Sequence, residues 1–592
     1  MLEPRRTLPE FDPAPHEAQL AAIIGEIDGS PQLDERTLAH IVRRHPKGGR
    51  GLFSKSEIIA GFRRFAPARG WSSSEREFVA RLRLRPVRTL SGVTPVTLLT
   101  KPFPCPGKCI FCPNDLRMPK SYLADEPGAQ RAELNDFDPY LQTWNRLKAY
   151  REIGHPVDKV ELNVLGGTWS HHPEAYQIWT VKRCFDALND FGRGVDGRAE
   201  AGGARLDFRR LARSEGRRPR EAYNRSVSRF LAGELSGELL HPDERSDWQA
   251  LERVQRENES AASRCVGLAV ETRPDRLDEA ELHRLRRLGV TKVQIGVQSL
   301  SDRVLALNRR GHDVAASRRA FRLLRRAGFK IHAHWMANLH GATPESDVED
   351  FARLFDDPDF RPDELKVYPC SLIESAELMQ VYERGEWRPY ETDELLGVVS
   401  ECLARTPEYC RLTRVIRDFS AGDIVAGNKI ANLREVAERR LRDEGRPCRD
   451  IRNREIRAEQ FETEALRLGA IVYATSAGRE IFLQQATPND RLVAFLRLLL
   501  PDGPGPIDEL AESAVIREVH VYGASLGIGH RANGEAQHLG LGRGLIDLAA
   551  ARAREAGFRD LAVISAVGTR AYYRRLGFRD GALYQHLALA SA

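Results

Sequence analysis

Six short apolar runs that alternate with amphipathic helical stretches constrain this chain more than any other feature. The runs are Val96–Thr100, Lys159–Leu165, Cys265–Glu271, Lys292–Gln298, Lys330–Met336 and Glu364–Tyr368, with helical spacing between them, as over Glu279–Leu288 and Ala315–Ala327. Repeated strand–helix units imply a parallel sheet. Six such units predict an α/β fold built on an incomplete (β/α)6 barrel. By analogy with complete barrels, its chemistry belongs at the C-terminal ends of the strands. A chain of 592 residues is too long for one core. The barrel is expected over residues 86–375, interrupted by a charged, Gly- and Arg-rich insertion at about 192–260. Before it, residues 1–85 read as a basic helical module, and after it residues 376–469 read as a charged, mostly helical connector. From 470 to 592 the pattern changes to antiparallel strands (Ala470–Ala474, Arg479–Gln485, Arg491–Leu498, Val515–Val521, then Leu561–Ile564), which predicts a separate α+β domain.

Directly after the first run comes Lys101-Pro-Phe-Pro-Cys105-Pro-Gly-Lys-Cys109-Ile-Phe-Cys112. Three thiolates on a short loop hold three irons of a 4Fe-4S cluster and leave the fourth open. An open iron accepts the amino and carboxylate groups of S-adenosylmethionine, to whose sulfonium the cluster then passes an electron. The Cys-x3-Cys-x2-Cys spacing with Phe111 before the third cysteine resembles the signature of radical S-adenosylmethionine enzymes. A structural zinc loop is the competing reading, but zinc takes four ligands in paired spacing and no fourth Cys or His follows nearby. The other six cysteines are scattered and read as reduced thiols.

The N-terminus lacks an apolar signal region and no stretch reaches the roughly 18 apolar residues needed to span a bilayer. A cytoplasmic protein is expected, with no membrane partner. The net charge is only +6, but cations crowd between Arg36 and Arg88, among them Arg43, Arg44, Lys47, Lys55, Arg63, Arg64 and Arg69, against Glu57, Glu75 and Glu77. Aromatics Phe53, Phe62, Phe65, Trp71 and Phe78 are interleaved with them. Such a block attracts phosphates by counterion release, although a solvated helix face has the same composition.

Several expected strands end in groups suited to a ligand. The second ends in Gly166-Gly167, where backbone can approach closely. The third ends in Glu271, the fourth in Gln298 and the sixth in Lys366-Val-Tyr368. In the C-terminal domain, Gln537-His-Leu-Gly540-Leu541-Gly542-Arg543-Gly544 precedes a helix over Leu545–Arg554. It is similar to the pyrophosphate loop of GNAT acetyltransferases, in which Gly-rich backbone and a helix N-terminus receive an anion. Tyr572 and Tyr573 fall where that fold brings a phenol near the coenzyme A thiol, and Tyr573 is the favoured proton donor to the leaving thiolate.

Together with Lys159 in Val-Asp-Lys-Val-Glu161, Glu271-Thr-Arg-Pro-Asp275, Asn308-Arg-Arg-Gly-His312, Cys448-Arg-Asp-Ile-Arg-Asn-Arg-Glu455 and Arg517-Glu-Val-His-Val-Tyr-Gly523, these motifs closely resemble the catalytic subunit family of Elongator. The resemblance runs from about Val87 to the C-terminus. It implies an acyltransferase that forms carboxymethyl groups on tRNA uridine 34 from acetyl-coenzyme A with S-adenosylmethionine chemistry. By position, it implies cluster ligands Cys105, Cys109 and Cys112. Gly166, Gly167, Glu271, Gln298 and Lys366 would hold S-adenosylmethionine. Acetyl-coenzyme A would meet Lys159, Glu518, Val519, His520, Val521, Gln537, Gly540, Leu541, Gly542, Arg543 and Tyr573. The tRNA anticodon stem-loop would meet the basic module and the cleft between domains. Zinc in the connector is not favoured by the spacing of Cys370, Cys402, Cys410 and Cys448. Whether accessory subunits or a homodimer take part stays open. A protein lysine acetyltransferase with a structural iron–sulfur barrel and a non-enzymatic tRNA-binding platform are the competing functions.

Overall fold

The computed structural model describes residues 11–31, 33–48, 51–82, 91–201, 223–224, 227–228, 243–457, 459–522 and 540–589. Two compact units result: Met1–Thr94 with Asn145–Val157, and Pro95–Trp144 with Asp158–Ala592. No helix among the described residues is long and apolar enough to cross a membrane.

The first unit holds helices Glu17–Asp28, Glu35–Arg44, Lys55–Arg69 and Glu75–Leu82. The third starts in a capping box between Ser54 and Glu57, which satisfies two otherwise orphaned backbone donors. Leu20, Ile23, Ile24, Ile58 and Ile59 pack with Phe53, Phe62, Phe65 and Phe78 in one core. The aromatics interleaved with the basic residues therefore hold the helices together. Phe62 stacks between Phe78 and the partly buried Trp71. The cations stay outside: Arg36, Arg43 and Arg64 are exposed, while Arg44 and Arg69 pair with Glu26 and Glu17.

The second unit carries both large sheets. The first is built from β1 (Val93–Leu99), β2 (Lys159–Leu165), β3 (Arg264–Thr272), β4 (Lys292–Gln298), β5 (Lys330–Ala337), β6 (Glu364–Pro369) and, after the two-residue β7 (Leu372–Ile373), β8 (Arg411–Arg414). The order is β1-β2-β3-β4-β5-β6-β8, parallel from β2 onward. The expected six-stranded barrel thus gains a seventh strand. In β8 only Leu412 is buried among two arginines and a threonine, so no apolar run marks it. β7 pairs with β9 (Ile424–Ala426), so the connector, expected mostly helical, also contains two short strands, β8 and β9.

Alternation along β2 is strict: Val160, Leu162 and Val164 are buried, while Lys159, Glu161 and Asn163 are not. The apolar positions face the helices and the polar ones face the barrel interior, as the two-residue period of a strand requires.

The second sheet comprises β10 (Arg467–Thr475), β11 (Gly478–Ala486), β12 (Leu492–Pro501), β13 (Ser513–Val521), β14 (Asp560–Val563), β15 (Arg579–Asp580) and β16 (Gln585–Ala588), in the order β10-β11-β12-β13-β14-β16-β15. All its pairings are antiparallel except β13 with β14. Helix Leu541–Glu555 connects those two.

Buried charge joins the two sheets. Arg517 of β13 donates to Asp363 just before β6 (3.0 Å) and to Glu480 of β11 (2.7 Å). Arg497 of β12 donates to Glu518 (2.9 Å) and to the Tyr409 carbonyl (2.7 Å). Lys330, at the start of β5, pairs with Glu518 and with Glu364. The second sheet therefore docks on the N-terminal ends of the barrel strands.

Candidate active site

The cysteine loop leaves the C-terminal end of β1. Cys109 is buried, and Cys105 and Cys112 are half-buried. Arg310 is buried beside them and points Nη1 at the Cys109 sulfur (3.2 Å) while Nη2 donates to the Gly296 carbonyl (2.6 Å). Arg273 in turn donates to the Arg310 carbonyl (2.7 Å) and to Asp275 (2.9 Å). A hydrogen bond with Cys112, then the charges of Arg310 and Arg273, hold the Cys109 thiol well below its ordinary value, against the burial that opposes them. The same hydrogen bond and burial push the Cys112 thiol up. The thiolate is the metal-binding form of cysteine, so guanidinium charge here favours ligation.

Two residues of the insertion complete the loop. Asn224 accepts from the Cys105 N–H (2.9 Å) and donates to its carbonyl (2.7 Å), while the Tyr223 hydroxyl donates to the Met118 carbonyl (2.7 Å). The insertion, which sequence patterns leave without a role, thus clasps the first cysteine.

The strand ends face this loop. Thr168, after β2, sets its hydroxyl 3.6 Å from the Cys105 sulfur. Gly166 has φ 127°, and a Cβ there would stand 2.2 Å from the Thr100 hydroxyl, so only glycine fits. Gly167 has φ 98°. Glu271 accepts from the Tyr122 hydroxyl (3.2 Å) and lies 3.7 Å from His334. Gln298 has φ 71°, and its buried Oε1 has no partner. Lys366 donates to Gln294 (2.6 Å), whose Oε1 also meets His334 (3.1 Å).

The residues fit the groups that the sequence implies. Three thiols on one loop are the donor set of a cluster with an open corner. Among the described residues no three His, Cys, Asp or Glu side chains converge on a single-ion site; the corners of a four-iron cube stand farther apart than the ligands of one ion. Arg310 Nε, Arg273 Nη1 and Gln298 Oε1 are buried polar atoms without partners around the same mouth. Such orphans are costly unless a bound group meets them.

The acetyltransferase-type site lies at the other end. β13 pairs with β14 only from Ser513 to Ile516. A bulge at Arg517 shifts its register on β12, and from there β13 runs on past the end of β14. Val519 and Val521 face the first turn of helix Leu541–Glu555: a Cβ at Gly542 would stand 3.6 Å from Val521 and 3.9 Å from Val519. Gly540 caps that helix with φ 74°. A strand that outruns its neighbour beside a helix N-terminus suits a ligand with an extended amide arm and an anionic end. Arg543 is exposed on the same turn. Gln537 lies outside the described residues. Glu518 spends its carboxylate on Arg497 and Lys330. His520 lies between Phe495 and Tyr522, and burial lowers its pKa to about 4.

The tyrosine pair divides. Tyr573 is buried against Phe578. The Tyr572 hydroxyl instead lies over Gly542, 3.2 Å from where a Cβ would be. Lys159 stands at the start of β2, opposite Arg264 in register and at the far end of the strand from Gly166. Gly568 packs against Arg264 there. Lys159 thus sits at the acetyltransferase end of the barrel, and burial lowers its ammonium pKa. Sequence reasoning did not assign roles to Arg310, Arg273, Tyr223 or Asn224. The two arginines lay in recognisable motifs, whereas Asn224 carried no local signal.

A parallel half-barrel with a three-cysteine loop after its first strand, followed by a second mixed sheet, defines the class: a radical S-adenosylmethionine fold with an additional α+β domain. Residues 238–355 match the Radical SAM superfamily model and 362–443 the Radical_SAM C-terminal domain. The tRNA uridine(34) acetyltransferase of Dehalococcoides mccartyi is 37% identical over 509 residues, 84% of this chain and 99% of that protein. Human Elongator complex protein 3 is 32% identical over 520 residues, 84% of each chain. The solved structure of Methanocaldococcus infernus Elp3 lacking residues 1–46 aligns with TM-score 0.65 at 32% identity, covering 85% of this chain and all of that one. The chain belongs to the Elongator catalytic-subunit and tRNA uridine(34) acetyltransferase family, a family of acyltransferase enzymes.

Proposed function

We propose that this protein forms the carboxymethyl group on carbon 5 of the tRNA wobble uridine, from acetyl-coenzyme A and with S-adenosylmethionine as radical source. The observation that carries the reading is the sharing of one compact unit by two sites of different chemistry. When bound, a 4Fe-4S cluster supplies the electron that turns S-adenosylmethionine into a carbon radical able to take hydrogen from an acetyl methyl group. Polar attack by that methyl on a pyrimidine carbon would lack both a nucleophile and an electrophile.

The chain's own residues bind and orient. Cys105, Cys109 and Cys112 hold the cluster, and Arg310 fixes the Cys109 sulfur. Gly166 and Gly167 let backbone close on the amino acid end of S-adenosylmethionine, while Glu271 and Gln298 line the same mouth and Lys366 stands deeper in the barrel, bonded to Gln294. The stretch of β13 beyond the end of β14, Glu518–Val521, and the turn at Gly540–Arg543 receive acetyl-coenzyme A. Tyr572, with Tyr573 behind it, donates a proton to the leaving thiolate, a role supported by its hydroxyl lying over Gly542. The four sequence segments divide the work: a basic module for the anticodon stem-loop, the barrel for the radical, the connector as brace and the C-terminal domain for the thioester.

Anaerobic reconstitution with iron, sulfide, S-adenosylmethionine, acetyl-coenzyme A and bulk tRNA, followed by nucleoside mass spectrometry, tests the reading. Carboxymethyluridine at position 34 is expected. Acetyl-coenzyme A hydrolysis stimulated by peptides and indifferent to tRNA would instead establish a lysine acetyltransferase.

A further inference from the structure

The two sites lie at opposite ends of the same strands. β2 alone runs seven residues between Lys159 and Leu165, about 20 Å at ~3.3 Å per residue. The acyl carbon and the radical centre must nevertheless meet, and what joins the two ends is the barrel interior.

That interior is not the one a closed barrel has. Inward layers of such barrels are filled by branched apolar side chains. Here the middle strands present Gln294, His332 and His334, all buried. The edge strands β1 and β8 do not pair with each other, so the barrel stays open along one side. On both sides of that opening the inward positions are partly exposed: Thr97 on β1, Glu161 and Asn163 on β2, Thr413 on β8. Their neighbours Val96, Leu98, Leu162, Val164 and Leu412 are buried at 1% or less. Glu161 keeps 28% of its side chain exposed although it pairs with Lys292. The result is a polar trough with a buried floor and solvent-reachable walls. At its lower end His520 feels the Glu161 charge, and at its upper end Thr168 meets Cys105.

We propose that this trough is the passage for the acyl-pantetheine arm of the thioester, which lies along the inner face of β2 and carries the acyl group from the β13 end to the cysteine-loop mouth. The arm is long, flexible and rich in amides, and Asn163 and Thr97 on the partly exposed walls offer it hydrogen-bond partners that an apolar core would not. The inference rests on the proposed function for the identity of the thioester.

A diazirine-bearing short-chain acyl-coenzyme A is the probe, used on the full chain without its cluster and mapped by peptide mass spectrometry. Label on the β2 peptide containing Asn163 is expected. Asn163→Trp, which fills the trough midway, should lower that label at least tenfold while coenzyme A affinity stays within about twofold. Thr97→Trp on the other wall should do the same, and the wild-type map needs no variant to fold. Label confined to the C-terminal sheet, with coenzyme A bound normally, overturns the passage and leaves the function standing. No coenzyme A binding at all overturns both. Cross-linking of Asn163 to an anticodon stem-loop carrying 4-thiouridine at position 34, without acyl labelling, would assign the trough to the base instead and likewise overturn the passage.

Discussion

Asp363→Asn removes one charge from a fully buried ionic cluster between the two sheets. Asp363, Arg517 and Glu480 have fully buried side chains, and Arg497 and Arg325 are 1% and 2% exposed. Three guanidinium groups (Arg325, Arg497, Arg517) face three carboxylates (Asp363, Glu480, Glu518). Burial opposes ionisation of Asp363, but the charges of Arg517, Arg497 and Arg325 overcome it and hold the carboxyl well below its usual range. Asp363 also accepts from the Ile331 N–H (2.8 Å). Asparagine preserves the shape and leaves a guanidinium uncompensated in a dry site. Breaking a buried pair from one side costs about 3–5 kcal/mol. At ~2 °C per kcal/mol for a large domain, the melting transition of the second unit should fall by about 6–10 °C. Thermal scans of Asp363→Asn, Arg517→Met and the double variant form the assay, run at one scan rate because a chain this long need not unfold in two states. The double variant should melt well above the sum of the single losses. Additive shifts would refute the claim that these residues act as one neutralised cluster. Because Arg517 is the bulge residue of β13, Asp363→Asn should also weaken coenzyme A binding.

Other perturbations separate the two sites. Gly166→Ala meets both a left-handed backbone and the Thr100 hydroxyl, so it should cost about 1–3 kcal/mol and abolish reductive cleavage of S-adenosylmethionine while sparing acetyl-coenzyme A binding; 5′-deoxyadenosine release and a coenzyme A isotherm check this. Cys109→Ala should eliminate the cluster's visible absorbance and all modification, leaving tRNA affinity unchanged in filter binding. Tyr572→Phe should slow tRNA-dependent thioester hydrolysis more than Tyr573→Phe, because the Tyr572 hydroxyl is the one over the helix turn; the reverse order returns the proton to Tyr573. His586 donates to Asp560 (2.7 Å) and Glu509 (3.0 Å), which raise its pKa from 6.5 to about 9. Its contribution is therefore complete below pH 6.5 and lost as pH rises through 9. The full shift corresponds to about 3 kcal/mol, reduced to about 1–2 by solvent screening of a ring that is 20% exposed. The difference in melting temperature between wild type and His586→Gln should vanish above pH 9.

What the sequence reveals depends on whether a single physical signal decides the outcome. β2 and β4 occupy the residues that alternation and β-branched content mark, and the cysteine spacing carries its chemistry without the fold. β8 escapes because its pairing with β6 is settled by tertiary fit while its composition, Arg-Leu-Thr-Arg, reads as loop. The tyrosine pair is similar: both residues sit on one short helix, and only packing against Phe578 decides which phenol turns inward. Asn224 is farther out of reach, since its partner Cys105 lies 119 positions away.

The inward polar residues show the opposite case. Glu161, Lys292, Lys330 and Glu364 sit within runs read as strands, where charge looks like surface. In the fold those side chains face one another inside the barrel and, through Glu518, the second sheet. A strand that is apolar toward its helices and charged toward its lumen makes sense only if something polar occupies or closes that lumen. One set of charges thus both docks the second sheet on the barrel and keeps the barrel interior polar. The polar interior of the barrel and its union with the second sheet in one folded body are therefore consequences of the same alternating pattern.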